Sequence, residues 1–580
     1  MTTAPWKSIW AVDFEFAGKD GDTPRPLCVV AHDLLSGRWT RQWLDGESAP
    51  GCPYGTGPDD LVIAYYASAE IGCHLALGWP IPQRIIDLCA EFKRATSGLE
   101  FTAGKGLIGA LLYHGITGNV AAQEKAEMQA LAAGGGPYTD AERQALLIYC
   151  ESDVQALRRL WPAMAADIDV PRALIRGRYM AALAQVERNG IPIDMAALTA
   201  LRDGWDKLKP QLISEVDGQY GIYDGERFSQ ERFSQYLAAH KIPWPRTPTG
   251  QLSLADATFK DQAKLYPCLQ PLRELRATVS RLKLFDLAVG DDGRNRTILS
   301  AFKSKTGRNQ PSNTKFIFGP ATWVRHLIRP EPGRALAYID YGQQEFAAAA
   351  LSGDAAMLEA YHSGDPYLTF ARMAGAVPAD ATKHTHGKER DRFKRCALAV
   401  QYGMGAETLA ASLGLPPAYG RDLLKQHKRT FPRFWQWVND VASTAAARRK
   451  LVAAFGWQIN VSPATKATTL QNWPCQAAGA EMLRLAVIGA VEHGIKVCAP
   501  VHDALLIEAA DHDIDAAVEL TQHIMGQASR AVLHGTTVQT DAKIIRHPDR
   551  YEEERGAVIW QKLHALLPDL SSAGTATCAA

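Results

Sequence analysis

The chain has 580 residues, 63 Lys+Arg against 62 Asp+Glu, a formal net charge of +1, and is 47% hydrophobic and 22% charged. At about 150 residues per domain this is material for three or four folding units, which excludes disordered and collagen-like classes. No run approaches the roughly 18 apolar residues of a membrane span, and Asp13 and Glu15 come too early for a signal-peptide core. The ten cysteines form no CxxC pair and no Cys/His ligand spacing, so a reduced, cytoplasmic protein without a disulfide frame or zinc site is expected. The charge is unevenly spread. Residues 1–160 carry 13 basic and 19 acidic groups, residues 260–335 carry 15 and 6, and residues 383–433 carry 11 and 4. The two basic stretches are expected to serve a polyanion that the total charge conceals.

In chain order, the first 160 residues predict an α/β unit. The strand-like runs SIWAVDFEF, LCVVAHDL and DLVIAYYA precede helical patterns ending in ERQALLIYCESDVQALRRLW. A helical, charged region is expected from about 173 to 300, interrupted by the Pro-rich KIPWPRTPTG. The turn-rich KTGRNQPSN then leads to an apolar strand, ALAYIDYGQQEF. Mostly helix is predicted over 383–450, closing on GWQINV, then a long helix over 475–493. A hairpin pair follows, KVCAPV and ALLIEA, with His502 and Asp503 at its turn. DRYEEERGAVIWQKLHALL reads as an amphipathic closing helix, and SSAGTATCAA as a frayed tail.

Asp13 and Glu15 lie two apart on a strand and so project from one face. Like charges paired on a buried strand need a neutralising partner, commonly a divalent, oxygen-loving cation. Tyr149 and Asp153, four apart on a helix, share a face. The DxE strand with a distant Tyr-x-x-x-Asp resembles the 3′–5′ exonuclease domain of DnaQ-like proofreading nucleases. The resemblance implies a ribonuclease-H-like α/β fold in which Asp13, Glu15 and Asp153 help hold two metals and Tyr149 orients the attacking water. That family's middle motif places an Asp after an Asn. The matching stretch AYYASAEIG offers Glu70 as the further metal ligand, with Tyr66 where the Asn falls.

Asp340 closes an apolar strand and Asp503 stands at a hairpin turn; with the basic helix between them they suggest a two-carboxylate metal site for phosphoryl transfer. In RDRFKRCALAVQYGMG, Arg390, Lys394, Leu398 and Tyr402 recur at intervals of four and stack along one helix face. Two cations, an apolar group and an aromatic suit a triphosphate, a sugar and a base in sequence. Gly403 ends the run, where close backbone approach is cheap.

DYGQQEF, RxxxKxxxxxxxYG and VHD resemble, in order, the three palm-and-fingers motifs of family A DNA polymerases, the bacterial DNA polymerase I type. VERNGIPID, TGR at 306–308 and NWPCQ at 472–476 extend the match over most of residues 180–510. The resemblance implies an α+β right-hand polymerase domain over 173–580, following an exonuclease-like domain over 1–172. Its thumb would span about 195–300, its palm about 301–380 and 451–550, and its fingers about 381–450. It further implies that Asp340, Asp503 and the backbone carbonyl of Tyr341 hold two Mg²⁺ ions, with two more at the exonuclease site, Mn²⁺ being a possible substitute. Arg390 and Lys394 are implied to grip the triphosphate, Lys394 protonating the leaving pyrophosphate. Leu398 and Tyr402 are implied at the incoming sugar and the templating position, and Glu345 as the group that occludes a ribose 2′-hydroxyl. Gln343 and His502 are assigned to the nucleotide and primer end, and Arg308, Asn472 and Gln476 to the duplex minor groove.

Two positions depart from the family pattern: Leu398 replaces a usual aromatic, as in a subset of virus-encoded members, and Ala504 stands where Glu often follows the second Asp. With the DxE strand at its start and no 5′-nuclease domain ahead of it, the chain resembles a phage-type replicative polymerase. Primer–template DNA and dNTPs are the expected partners, of a monomer without membrane attachment in a bacterial host's cytoplasm; a processivity factor is not legible. The alternatives are a single-subunit RNA polymerase, against which Glu345, Tyr402 and the exonuclease-like unit speak, and a non-catalytic DNA-binding protein, against which the full set of carboxylates speaks.

Overall fold

Alternating apolar residues make Ser8–Ala17 (β1) the centre of a five-stranded mixed sheet in the computed structural model, which describes residues 6–44, 51–117, 122–247, 249–281, 286–319, 321–401 and 403–566. With Arg25–Asp33 (β2), Trp39–Trp43 (β3), Asp60–Ala64 (β4) and Ile85–Asp87 (β5), the order is β3-β2-β1-β4-β5. β1 is antiparallel to β2 and parallel to β4. Ile9 and Ala11 share a core with Leu146, Cys150 and Leu157 of helix Asp140–Ala165, while Trp10, Val12 and Phe14 pack on the other face with Cys73 and Trp79. A strand covered on both faces tolerates few polar side chains; after Ser8, its only ones are Asp13 and Glu15. Helix Asp140–Ala165 starts at a capping box, with Thr139 and Glu142 exchanging hydrogen bonds.

The boundary expected at residue 172 falls in the first turn of helix Val170–Asn189, which Asp169 caps. This helix lies against β5 at Gly177, where a β-carbon would sit 1.9 Å from the Ile85 carbonyl oxygen, so only glycine permits the contact. At its far end the Asn189 side chain donates to the Val497 carbonyl of the second sheet. One helix therefore ties the amino-terminal sheet to the carboxy-terminal body.

Helices Met195–Asp217, Gln230–Ala239, Asp256–Leu265 and Gln270–Arg281 fill the region predicted to be helical. Beyond them stands a four-stranded antiparallel sheet, ordered Lys496–Val501, Ala504–Ala510, Arg334–Tyr341, Thr540–Arg546. Its central strand ends at Tyr341 and does not continue through QQEF. Gly342 and Gln343 (φ +52°) turn the chain, and Gln344–Ala347 is a helical turn. Helices Gly387–Gln401, Ala406–Ser412, Pro417–Thr430 and Pro432–Arg448 form the next layer. The long helix predicted from 475 begins at Ala467 and runs through Pro474. A proline normally breaks a helix, which is why the pattern suggested a later start. Here the buried Trp473 pins the segment, its indole donating to the Lys305 carbonyl. The closing helix is Glu554–Leu566; the tail SSAGTATCAA lies outside the described residues. Among the described residues no helix is long and apolar enough to cross a membrane, and all nine cysteines are free.

Much of the basic surplus in 260–335 is structural. Arg294 and Arg334 both pair with Glu508, Arg325 with Glu553 at 2.7 Å, Arg329 with Asp194 at 2.9 Å and Lys315 with Asp20 at 2.5 Å. These acids come from distant parts of the chain, so a local count overstates the field left for a ligand.

A buried ion pair fastens the connecting helix to helix Leu88–Ala95, which follows β5. Arg176, on the connecting helix, makes a two-pronged contact with Glu91 (the longer bond 3.0 Å) and donates to the Phe455 carbonyl at 3.1 Å. Both side chains are at most 3% exposed. Glu91→Ala strands a buried guanidinium and is expected to lower stability by about 3 kcal/mol, measured by chemical denaturation.

Candidate active sites

The palm sheet brings Asp340 and Asp503 together. Asp340 is the penultimate residue of Arg334–Tyr341, opposite Ala504 on one side and Asp541 on the other. Asp503 shares with His502 the two-residue turn of the hairpin, and its carbonyl accepts the Tyr341 N–H at 3.2 Å. His502 is left-handed at φ +58°, a conformation costing a non-glycine residue about 1 kcal/mol. Strain of this kind concentrates where geometry is demanded. Burial, then Asp503 and more weakly Asp541, push the Asp340 carboxyl up to about 7. Asp340 Oδ1 is buried without a hydrogen-bond partner.

From Asp340 the chain turns through Gln343, which precedes the short helix carrying Glu345. The Gln401 side chain, at the end of helix Gly387–Gln401, donates to the Glu345 carbonyl at 2.9 Å, joining that helix to the palm. Arg390 and Lys394 both lie over the ring of Tyr367, at 5.6 and 5.7 Å. Arg390 also pairs with Asp365 at 2.5 Å. Lys394 is exposed and Leu398 half-buried. Tyr402 lies outside the described residues. Gly403 is at φ +65°, and a β-carbon there would meet the Thr468 methyl at 2.6 Å.

Arg308 and His502 line one groove of about 430 Å³; Asn472 and Gln476 line the next, together with Thr306 and Thr468. Desolvation, with Arg325, Arg308 and Lys260 nearby, lowers the His502 imidazole below its ordinary range.

The amino-terminal carboxylates form a second cluster. Asp13, Glu15, Glu70, Tyr149 and Asp153 line one cleft of about 910 Å³. Burial, then Asp13, pushes Glu15 up to about 10. Burial followed by Asp153 raises Asp13, and burial followed by Asp13 raises Glu70. Glu70, in the first turn of helix Ser68–Leu77, is 6% exposed, and its Oε2 and Asp13 Oδ2 are buried without partners. Tyr66 stands at φ +83°, its N–H and that of Ala67 donating to Asp87, which thereby fixes the turn ahead of Glu70.

Unpartnered buried carboxylate oxygens fit a hard cation. No group of three or more His, Cys, Asp or Glu side chains among the described residues is arranged to hold a metal ion. Mg²⁺ ordinarily uses one or two carboxylates with water and substrate phosphates, so open clusters of this kind suit it.

Sequence reasoning missed four neighbours of these sites. Tyr367 and Asp365 engage Arg390, Asp541 faces Asp340 across a strand pair, and Lys125 enters the amino-terminal cluster 3.3 Å from Asp153. Lys303 lines both the carboxylate cleft and the Arg308 groove, linking the two centres. None has a spacing that ties it to its partner in sequence.

An antiparallel sheet that brings two aspartates together, joined to a basic helix through Gln401, fits the architecture of the right-hand polymerases. The chain belongs to DNA polymerase family A, whose family model matches residues 235–544, more than half of its length. It is similar to DNA polymerase I of Aquifex aeolicus (strain VF5), 23% identical over 445 residues, 69% of this chain and 75% of that protein. To the DNA polymerase of Mycobacterium phage L5 it is 24% identical over 408 residues, 67% of this chain and 66% of that protein. It spans 44% of the length of the thermostable DNA polymerase I of Thermus aquaticus, at 23% identity. Its fold is similar to the POL domain of Pol1 from M. smegmatis in a complex with DNA primer-template and dNTP, with a TM-score of 0.70 at 18% identity, covering 92% of this chain and 94% of that one.

With the Asp340 carboxyl pushed up to about 7 by burial and Asp503, a Mg²⁺ ion taken up between these acids would have to displace its proton. Affinity should rise about tenfold per pH unit below pH 7 and level off above it. Calorimetry in two buffers of different ionisation enthalpy checks the accompanying proton release.

Proposed function

We propose that this chain is a template-directed, DNA-dependent DNA polymerase that extends a primer 3′ end with dNTPs and removes 3′-terminal nucleotides at a separate proofreading site, in DNA replication. The apposition of Asp340 and Asp503 across the Tyr341 N–H to Asp503 carbonyl bond carries the synthetic half of this reading. Mg²⁺ bound by these carboxylates, with the Tyr341 carbonyl, supplies the Lewis acidity that activates a primer hydroxyl and neutralises the leaving pyrophosphate. Arg390 and Lys394 offer charge-assisted hydrogen bonds to the triphosphate; Arg390 exchanges Asp365 for it, and Lys394 supplies a proton to the departing pyrophosphate. The family resemblance assigns Tyr402 to the templating position and Leu398 to the incoming sugar. Glu345, held to the fingers helix by Gln401, crowds the 2′ position and excludes ribonucleotides. Gln343 and His502 meet nucleotide and primer end, and Arg308, Asn472 and Gln476 follow the minor groove, sensing base-pair shape more than sequence.

The degradative half rests on the sheet order β3-β2-β1-β4-β5, which suits a ribonuclease-H-like unit, and on its single cleft of Asp13, Glu15, Glu70, Asp153 and Tyr149. Asp13, Glu15, Glu70 and Asp153 are the residues to hold two metals, and Tyr149 the one to orient water. Similarity to the polymerase of Mycobacterium phage L5, and the aliphatic Leu398, support a viral origin.

Asp340→Asn and Asp503→Asn should each reduce primer extension by at least about a thousandfold with DNA affinity nearly unchanged. Asp13→Ala should stop 3′-end removal and spare extension. Gel assays on one labelled primer–template read both.

A further inference from the structure

Four carboxylates crowd the amino-terminal cleft, and one ammonium group stands among them. Lys125, on helix Ala122–Ala133, places Nζ 3.3 Å from Asp153 Oδ2 and 5.9 Å from the centre of the Tyr149 ring. It is also near enough to act on Asp13 and Glu15. Of the other lysines lining the cleft, Lys303 also borders the neighbouring Arg308 groove. Lys93 donates to the Ala301 carbonyl and Lys105 to the Thr96 carbonyl. An ordinary surface ion pair has two exposed ends, but the Asp153 side chain is 16% exposed and that of Lys125 30%. The Glu70 carboxylate beside them, 94% buried, keeps an oxygen without a partner. The cluster is thus built for a bound ligand that includes cationic and anionic parts, and Lys125 lies beside the tyrosine assigned to the attacking water.

We propose that Lys125 is a catalytic residue of 3′-end removal, its ammonium contacting a non-bridging oxygen of the scissile phosphodiester and resting on Asp153 between turnovers. The inference rests on the exonuclease reading of this cleft. In the reaction a water oxygen bonds to phosphorus as the bond from phosphorus to the 3′ oxygen of the shortened strand breaks. That oxygen ends with a proton delivered through solvent, and a nucleoside 5′-monophosphate departs. Lys125 keeps its protons throughout; its charge offsets the negative charge that gathers on the phosphoryl oxygens. The same charge opposes cation binding to the four carboxylates, so its removal should act in opposite directions on metal affinity and on rate.

The test uses the full chain carrying Asp340→Asn and Asp503→Asn, so that Mn²⁺ titrated under electron paramagnetic resonance reports the amino-terminal cleft. Lys125→Met should tighten Mn²⁺ binding about tenfold. It should slow removal of nucleotides from single-stranded DNA by about a hundredfold. Lys125→Arg should retain most of the rate, and an unchanged unfolding temperature shows each variant folded. Slower hydrolysis with weaker Mn²⁺ binding would mean that Lys125 merely holds Asp153 in place, and an unchanged rate would make it a bystander; either overturns the proposal. Asp13→Ala separates the two readings. If it leaves Mn²⁺ binding and 3′-end removal intact, the exonuclease reading fails and this inference with it. If it abolishes both while Lys125→Met changes neither, only the role of Lys125 is lost.

Discussion

The hydrogen bond from the Tyr341 N–H to the Asp503 carbonyl, 3.2 Å long, fastens a hairpin tip to the end of the central palm strand. It answers the constraint under which this protein is built: carboxylates must be held close although they repel. Side-chain contacts cannot do this, because a flexible acid simply turns away. Backbone register can. In the palm, Asp340 is fixed by strands on both sides, and the turn that presents Asp503 keeps His502 left-handed. In the amino-terminal sheet, strand periodicity directs Asp13 and Glu15 to one side while the intervening Phe14 is buried on the other. Burial first, and then the neighbouring acid, raises the carboxyls of Asp340 and Glu15. On the proposed reading, a cation would meet acids whose approach the backbone has already enforced.

The same constraint orders the charges elsewhere. The near-zero total sums an acidic amino-terminal stretch and basic stretches further along, and many of the cations are structural. Arg294 and Arg334 converge on Glu508, which Arg294 and Lys496 hold near the bottom of the carboxylate range at about 2. Arg176 ties the connecting helix to helix Leu88–Ala95 through Glu91. Thus long-range ion pairs occupy many of the cations, while Lys394 stands exposed on its helix and Lys303 and Lys305 line the grooves.

Strand positions, the Asp13–Glu15 and Tyr149–Asp153 pairs, and the hairpin with Asp503 at its turn were legible because each depends on spacing within one element. What depended on elements meeting was not. Lys125 is 28 residues from Asp153 and on no shared periodicity; only the packing of helix Ala122–Ala133 against the cleft brings them together. Asp541 meets Asp340 through strand order, which a single sequence does not display. Arg390 was legible as a cation on the right face, but its pairing with Asp365 over Tyr367 was not. Local composition also misled where Pro474 hid the start of a helix, and where the basic run 260–335 concealed partners far along the chain.

The central claim, that backbone register holds two separate carboxylate sets ready for metal, is most directly tested by anomalous diffraction from crystals of the full chain soaked in Mn²⁺. It predicts peaks between Asp340 and Asp503 and among Asp13, Glu15 and Asp153, with no movement of the strands that carry them. Mn²⁺ density elsewhere, with both carboxylate sets empty, or strands that shift to admit the ion, would contradict it.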